Sequence, residues 1–452
     1  MVGPDVVIDS RQVTPGALFV ALPGERVDGH DFVTAARDSG ASVAVVSREL
    51  DAEIPQLVVA DPQAALTRLA TAVVGRERRR GMVVMGVTGS AGKTSTKDLL
   101  AHLCESLGPT VAPPGSYNNE IGTPLTACRV DRNTTALIVE LGARGIGHVA
   151  ALTRVVSPSV GVVLNVGTAH VGEFGSVDAI AQAKGELVEA LPADGWAVLN
   201  ADDARVLAMG SRTHANLALY SRVGEPSGTA ALRLWASDLG VDSRQRPRFR
   251  LHLRRRGQPA ETAMVSLRLV GHHQVMNALA AAGAAAAAGM SAEAIGARLN
   301  TAQVRSPWRM ELSERSDGLV ILNDAYNANP EAMVAALETL AELRRPGCRT
   351  VAVLGDMLEL GEQAPAAHRM VGAHAAEVGV DLVVAVGEYA SVVVAGFEDA
   401  GRSGRGFESR EDMTRHLRQT LLPTDVVLLK ASRGVGLEHV ARTLMEGEGV
   451  DS

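Results

Sequence analysis

A lysine and a threonine follow a glycine-rich turn in Thr88-Gly89-Ser90-Ala91-Gly92-Lys93-Thr94-Ser95. These residue types suit a polyphosphate. Glycines let backbone N–H groups approach the anion, the Lys93 ammonium neutralises it, and the Thr94 hydroxyl can hold Mg²⁺. The spacing departs from G-x-x-x-x-G-K-S/T, because Val87 takes the first position and the nearest glycines are Gly86 and Gly89. A chance Gly/Ser loop is the competing account. Two more candidates follow apolar runs: Glu140 after 135–139, and His170 shortly after 160–165. A carboxylate at the end of a parallel strand is well placed to hold Mg²⁺ beside a phosphate loop. Helix capping or an arginine partner is the alternative for Glu140, and ordinary hydrogen bonding is the alternative for His170.

The lysines are informative as a set. Of 44 Lys plus Arg residues only Lys93, Lys97, Lys184 and Lys430 are lysine, leaving 40 arginines. With arginine used for generic positive charge, a retained lysine is a candidate for work that needs a compact ammonium or a reactive amine. Lys184 is the central polar residue of a predicted helix over 176–191. Its spacing assigns no role, and a surface lysine beside Glu186 remains open.

The elements that must position these groups can be read from the pattern. Residues 83–87 form a β-rich apolar run of the kind buried on both faces, and 95–103 read as a helix. Strand, Gly-rich turn and helix place the helix N-terminus and its free N–H groups toward an anion. The stretch 113–122 (PPGSYNNEIG) is rich in breakers and amides and resembles a binding loop. Alternating segments from 217 to 270 predict an antiparallel extension. The stretch 271–277 then opens an Ala-rich helix that runs to 288, where close packing accounts for the alanines. After 306, three apolar strands each end in a polar cluster: Asn323-Asp324, Gly355-Asp356 and Lys430-Ala431-Ser432-Arg433. Open α/β sheets bind ligands at such strand ends.

The expected fold is α/β in three domains. A small α/β unit over 1–80 is followed, through a linker at 76–81, by a central mostly parallel phosphate-loop domain over 81–305 with an antiparallel extension. A Rossmann-like domain occupies 306–452. A length of 452 residues agrees with two to three cores. No run approaches the ~18 uncharged apolar residues of a membrane span, and the start lacks a signal pattern, so a cytoplasmic location is expected. A net charge of −7 without a basic tail argues against nucleic acid. Cys104, Cys128 and Cys348 are spaced for neither a disulfide frame nor a zinc site.

The segments DSRQVTPGALFVALPG, TGSAGKTSTK, YNNEIGTP, ELGA, NVGTAHVGEFGS, AQAKGE, GHHQVMNALAA, NDAYNANP, LGDMLELG and LKASRG together resemble the Mur ligases across essentially the whole chain. NDAYNANP, LGDMLELG and the serine form of the loop favour the branch that adds D-alanyl-D-alanine. The resemblance implies that residues 88–95, with Lys93 and Thr94 foremost, meet ATP and a first Mg²⁺ that Glu140 completes. His170 would bind a second Mg²⁺, supported by a Lys184 carbamylated by CO₂. Asn277 would meet the adenine, and Arg309 and Asp324 the nucleotide. Ser10, Asp28, Gly29 and His30 resemble the uridine-nucleotide region, and Asn118 and Asn119 would face the muramoyl part. Asn327, Asn329, Lys430, Ser432 and Arg433 are the substrate-side candidates of the third domain. Gln274 stands where the family usually has asparagine, and 306–309 (SPWR) departs from its Gly-Arg pattern.

The implied reaction is ATP-dependent amide formation between UDP-N-acetylmuramoyl-tripeptide and D-alanyl-D-alanine through an acyl phosphate, by a monomer. The alternatives are a sister ligase that adds the third amino acid, or a phosphate-loop nucleotide switch without ligase activity. Against the switch, no N-K-x-D motif follows the loop.

Overall fold

The computed structural model describes residues 5–24, 27–167 and 171–446, which fold around three sheets. The first sheet has four parallel strands in chain order: Val6–Val7, Leu18–Val20, Val43–Val46 and Gln56–Val58. Helix Pro62–Arg78 leaves it, started by the Asp61 side chain accepting from the Gln63 and Ala64 N–H groups with proline in the first turn. Its buried residues Leu66, Ala70 and Val74 join Leu18 and Val20 to Val84 and Leu137 of the second sheet in one core. The expected linker at 76–81 is therefore helical through Arg78. The charges that suggested a solvated linker surround one buried carboxylate. Glu77 is 1% exposed and accepts from Arg76 Nε at 2.6 Å and Arg80 Nη1 at 3.1 Å.

The central sheet has nine strands. Val83–Thr88 lies between Ala136–Glu140 and Val160–Val163, parallel to both. From Val83–Thr88 the chain winds to the edge strand Thr110–Val111, returns to Ala136–Glu140, then crosses to Val160–Val163 on the other side. The winding thus reverses at the strand that feeds the phosphate loop, where a crevice opens beyond the strand ends. Trp196–Asn200, Asn216–Ser221 and Leu232–Val241 continue in parallel. Among the described strands of this sheet only Pro247–Arg255 is reversed, pairing antiparallel with Leu232–Val241 on one side and Glu261–Ser266 on the other. The expected antiparallel extension is present from 232, where Leu232–Val241 pairs with Pro247–Arg255, while Asn216–Ser221 before it is parallel to both of its neighbours. Alternation reports that one face is covered, as at Leu232, Leu234 and Ala236, and it carries no information about strand direction.

Helix Gln274–Ala287 buries every residue except Met276 and Ala287 and packs on both the sheet and helix Lys93–Cys104. Its alanines fill the space that close approach leaves. A Cβ on Gly283 would lie 2.7 Å from Val198 Cγ1. The third sheet is ordered Glu311–Glu314, Val320–Asn323, Val426–Lys430, Thr350–Gly355, Leu382–Val386 and Gly404–Phe407, parallel except at its first pair. Cys104, Cys128 and Cys348 are free thiols. Among the described residues no helix is long and apolar enough to cross a membrane.

Candidate active site

The turn after Val83–Thr88 is held open by its own contacts. Thr88 Oγ1 donates to Leu141 O at 2.8 Å, and a Cβ on Gly89 would lie 2.8 Å from Leu164 Cβ. Gly92 has φ +81°, and a side chain there would run into Asn277 Oδ1. Asn165 fastens the far side, accepting from Ala91 N at 2.9 Å, while Gly167 N donates to Ser90 Oγ at 2.9 Å. The Lys93 ammonium arches over the turn and donates to Gly89 O at 2.7 Å. Burial pushes its pKa down, opposed by Glu140 and aided by Arg309.

Thr94 begins a chain of contacts across the strand ends. Its hydroxyl donates to Glu140 Oε2 at 2.7 Å and meets Ser116 Oγ at 2.8 Å. Asn118 Nδ2 donates to the other Glu140 oxygen at 2.8 Å, and Arg309 Nη2 donates to Ser116 Oγ at 2.8 Å. A hydroxyl and a carboxylate 1% exposed beside a phosphate loop are hard oxygen donors that fit Mg²⁺. Among the described residues no group of three or more His, Cys, Asp or Glu side chains could enclose a metal. A Mg²⁺ held by one carboxylate, waters and phosphate oxygens needs none. Ser116 and Asn165 were not singled out by sequence reasoning. Their only signal was position, in the breaker-rich loop and at a strand end facing the turn.

Lys184 is 4% exposed on helix Val177–Glu189, so the surface-lysine reading is wrong. Glu186 is committed elsewhere, accepting from Ala150 N at 2.9 Å and from Gly147 N at the start of helix His148–Val156. Among the described residues Lys184 Nζ has no hydrogen-bond or ion-pair partner. Burial, with Lys93 as the nearby charge, holds its pKa well below the ordinary lysine value, which favours a neutral amine. His170 lies outside the described residues.

The third sheet closes the cleft with its strand ends. Asp324 accepts from Met310 N at 3.0 Å and pairs with Lys430, whose ammonium also donates to Asn327 O at 3.0 Å. Ser432 Oγ accepts from Leu358 N at 3.0 Å, and Asn329 caps helix Pro330–Glu342. The Arg309 guanidinium lies 4.1 Å from the centre of the Tyr326 ring, and Arg433 stands over Trp308 and Tyr326 at 5.8 and 5.3 Å. Trp308 and Met310 both have left-handed backbones, φ 60° and 50°. Bonds from Tyr326 N to Trp308 O and from Trp308 N to Glu311 Oε2, both 3.2 Å, hold that segment. His273, half-buried near Asp324 and Lys430, has its pKa lowered by desolvation to about 4. Gln274 Oε1 accepts from Asn277 Nδ2 at 3.0 Å, so the residue that departs from the family pattern orients Asn277.

These groups line one cleft of about 1070 Å³. Its wall carries Ser90 to Ser95, Asn118, Asn119, Glu140, Lys184 and Asn277, and on the facing unit Arg309, Asp324, Asn327, Asn329, Lys430, Ser432 and Arg433. Asn119 Oδ1 is occupied by Gly122 N at 2.8 Å. Ser10, Asp28, Gly29 and His30 stand apart from this cleft, in two short helical turns beside the first sheet. There His30 is 4% exposed and bridges Asp28 Oδ1 at 2.6 Å and Ser47 N at 2.9 Å, so both ring nitrogens have protein partners.

Three family models match the chain: "Mur ligase family, catalytic domain" over 5–83, "Mur ligase middle domain" over 87–285, and "Mur ligase, glutamate ligase domain" over 308–433. The chain belongs to the Mur ligase family. Among curated relatives, the UDP-N-acetylmuramoyl-tripeptide–D-alanyl-D-alanine ligase of Mycobacterium tuberculosis is 43% identical over 482 aligned positions, covering 97% of this Mur ligase and 92% of that protein. Among solved structures, MurF from Acinetobacter baumannii superposes with a TM-score of 0.84 at 32% identity, covering 98% and 93% of the two chains. MurF from Thermotoga maritima, solved in complex with ADP, gives 0.80 at 26% identity, covering 98% and 97%.

Proposed function

We propose that this Mur ligase joins D-alanyl-D-alanine to UDP-N-acetylmuramoyl-tripeptide with ATP, releasing ADP and phosphate, in cytoplasmic peptidoglycan precursor synthesis that serves cell shape and division. The observation that carries the reading is the continuous Asn118–Glu140–Thr94–Ser116–Arg309 chain of contacts. It joins the phosphate loop to the third unit across one cleft. The names of relatives that match nearly the full chain supply the substrates.

In this reading the turn's N–H groups and Lys93 hold the β- and γ-phosphates, and Arg309 bears on the charge that develops during transfer. Thr94 and Glu140 would hold one Mg²⁺, and His170 with a carbamylated Lys184 a second; when bound, they neutralise the phosphoryl oxygens. A neutral Lys184 amine suits carbamate formation: its nitrogen bonds to the carbon of CO₂ and a proton is lost. The tripeptide carboxylate attacks the γ-phosphorus and ADP leaves. The D-alanyl-D-alanine amine then attacks the acyl phosphate, a proton leaves the nitrogen, and phosphate departs. Facing walls from two units exclude water, which would otherwise hydrolyse the acyl phosphate. The chain is taken to act as a monomer, divided near residues 80 and 305, with Ser10 and the Asp28–His30 turn toward the uridine nucleotide.

The test is phosphate release with ATP, Mg²⁺ and each peptide partner. Release that needs both UDP-muramoyl-tripeptide and D-alanyl-D-alanine is expected. Release with UDP-muramoyl-dipeptide and a free amino acid would assign a sister ligase, and release without any acceptor would overturn ligation.

A further inference from the structure

Three of the four lysines are used by the reading above or by the Asp324 pair; Lys97 is not. It lies one turn beyond Lys93 on helix Lys93–Cys104, is 1% exposed, and is absent from the cleft wall. Its ammonium donates to Pro113 O at 2.7 Å and pairs with Asp98 Oδ1 at 2.5 Å. The other Asp98 oxygen accepts from Ser306 N at 3.1 Å. Pro113 begins the stretch that delivers Ser116 to Thr94 and Asn118 to Glu140. Ser306 begins the stretch that delivers Arg309 to Ser116. One buried charge therefore stands at the root of both segments that complete the site, and both are irregular chain without a sheet ladder to fix them.

We propose that Lys97 is a positioning residue for the ligase reaction: with Asp98 it ties residues 113–118 and 306–309 to the phosphate-loop helix and so sets where Ser116, Asn118 and Arg309 stand around Thr94 and Glu140. This rests on the proposed function for its kinetic readout only. A compact ammonium suits a buried point where a carbonyl and a carboxylate must be reached together. A guanidinium is larger and planar, which explains why lysine persists here in a chain of 40 arginines. Displacing catalytic groups by about 1 Å costs on the order of 100-fold in rate.

The experiment compares wild type, Lys97→Met, Ser116→Ala and the double variant. It measures kcat, the Mg²⁺ concentration for half-maximal rate, Mg·ADP affinity by calorimetry, and melting temperature. Lys97→Met is expected to lower kcat about 10- to 100-fold and to raise the Mg²⁺ requirement severalfold. The double variant should be no worse than about threefold below the poorer single one, because both act through one loop. Multiplying effects, or a Lys97→Met enzyme with wild-type kcat and Mg²⁺ dependence, overturns the proposal. Should Lys97→Met fail to fold, Asp98→Asn replaces it, paired with Arg309→Lys: coupled losses support the tie and multiplied losses refute it. If wild type itself lacks two-substrate turnover, the functional reading fails separately. Mg·ADP affinity then decides, with a tenfold loss in the Lys97 or Asp98 variant supporting the tie and unchanged affinity overturning it.

Discussion

Lys184→Met is expected to make the protein more stable and nearly inactive at once. The amine is 4% exposed with no partner among the described residues, and the Lys93 ammonium adds to burial in disfavouring its charged form. Methionine is of similar length and needs no hydrogen bond. Replacing an amine that burial strips of most of its water by an apolar group of similar length is worth about 1–3 kcal/mol. At about 2–4 °C per kcal/mol for a domain of this size, melting should rise by roughly 2–12 °C. The sign of the pH dependence follows from the lowered pKa. Between the folded pKa and the ordinary lysine value the unfolded chain binds more protons, so wild-type stability rises with pH across that window and falls as pH drops. Lys184→Met lacks this slope, so its advantage should be large near pH 6.5 and shrink toward pH 10. Differential scanning calorimetry in CO₂-free buffer at several pH values measures both effects. The ligase assay should fall at least about 100-fold, because the thioether cannot form a carbamate. A variant that melts lower than wild type at pH 6.5 while keeping the slope would refute the picture of an amine that burial holds neutral.

Glu140→Gln should raise the Mg²⁺ concentration for half-maximal rate about tenfold or more, read from a metal titration of phosphate release, since the remaining amide is a poor ligand. Gly92→Ala should weaken Mg·ADP binding more than tenfold by calorimetry. The new methyl meets Asn277 Oδ1 from a backbone at φ +81°, a conformation that costs an L-residue about 1–2 kcal/mol. Arg309→Lys should lower kcat about tenfold with melting unchanged, because an ammonium cannot both lie over Tyr326 and reach Ser116.

The parts of the site that sequence made legible are local ones. The turn from Thr88 to Ser95 is flanked by its own strand and helix, and Glu140 closes an apolar run, so each announces its place within a few residues. The contact that completes the site is not local: Arg309 meets Ser116 across 193 positions, and neither residue carries a pattern that names the other. Burial of Lys184 was illegible for a related reason. A helix pattern gives one apolar stripe, but here the polar side is covered too, by elements distant in sequence. The run 76–81 misled because ion pairs around a buried Glu77 have the same composition as a solvated linker. Alternation after 217 located strands and left their direction undetermined.

Lys97, Lys184 and Lys430 are each at most 4% exposed, and Lys93 is only partly accessible in the cleft. The outer face is consequently almost bare of primary amines. An activated acyl group that strays from its pocket therefore meets guanidinium, a poor nucleophile, wherever a typical protein would offer ε-amino groups. Succinimidyl dyes and lysine-directed cross-linkers should mark the folded protein sparsely and the denatured chain at all four positions.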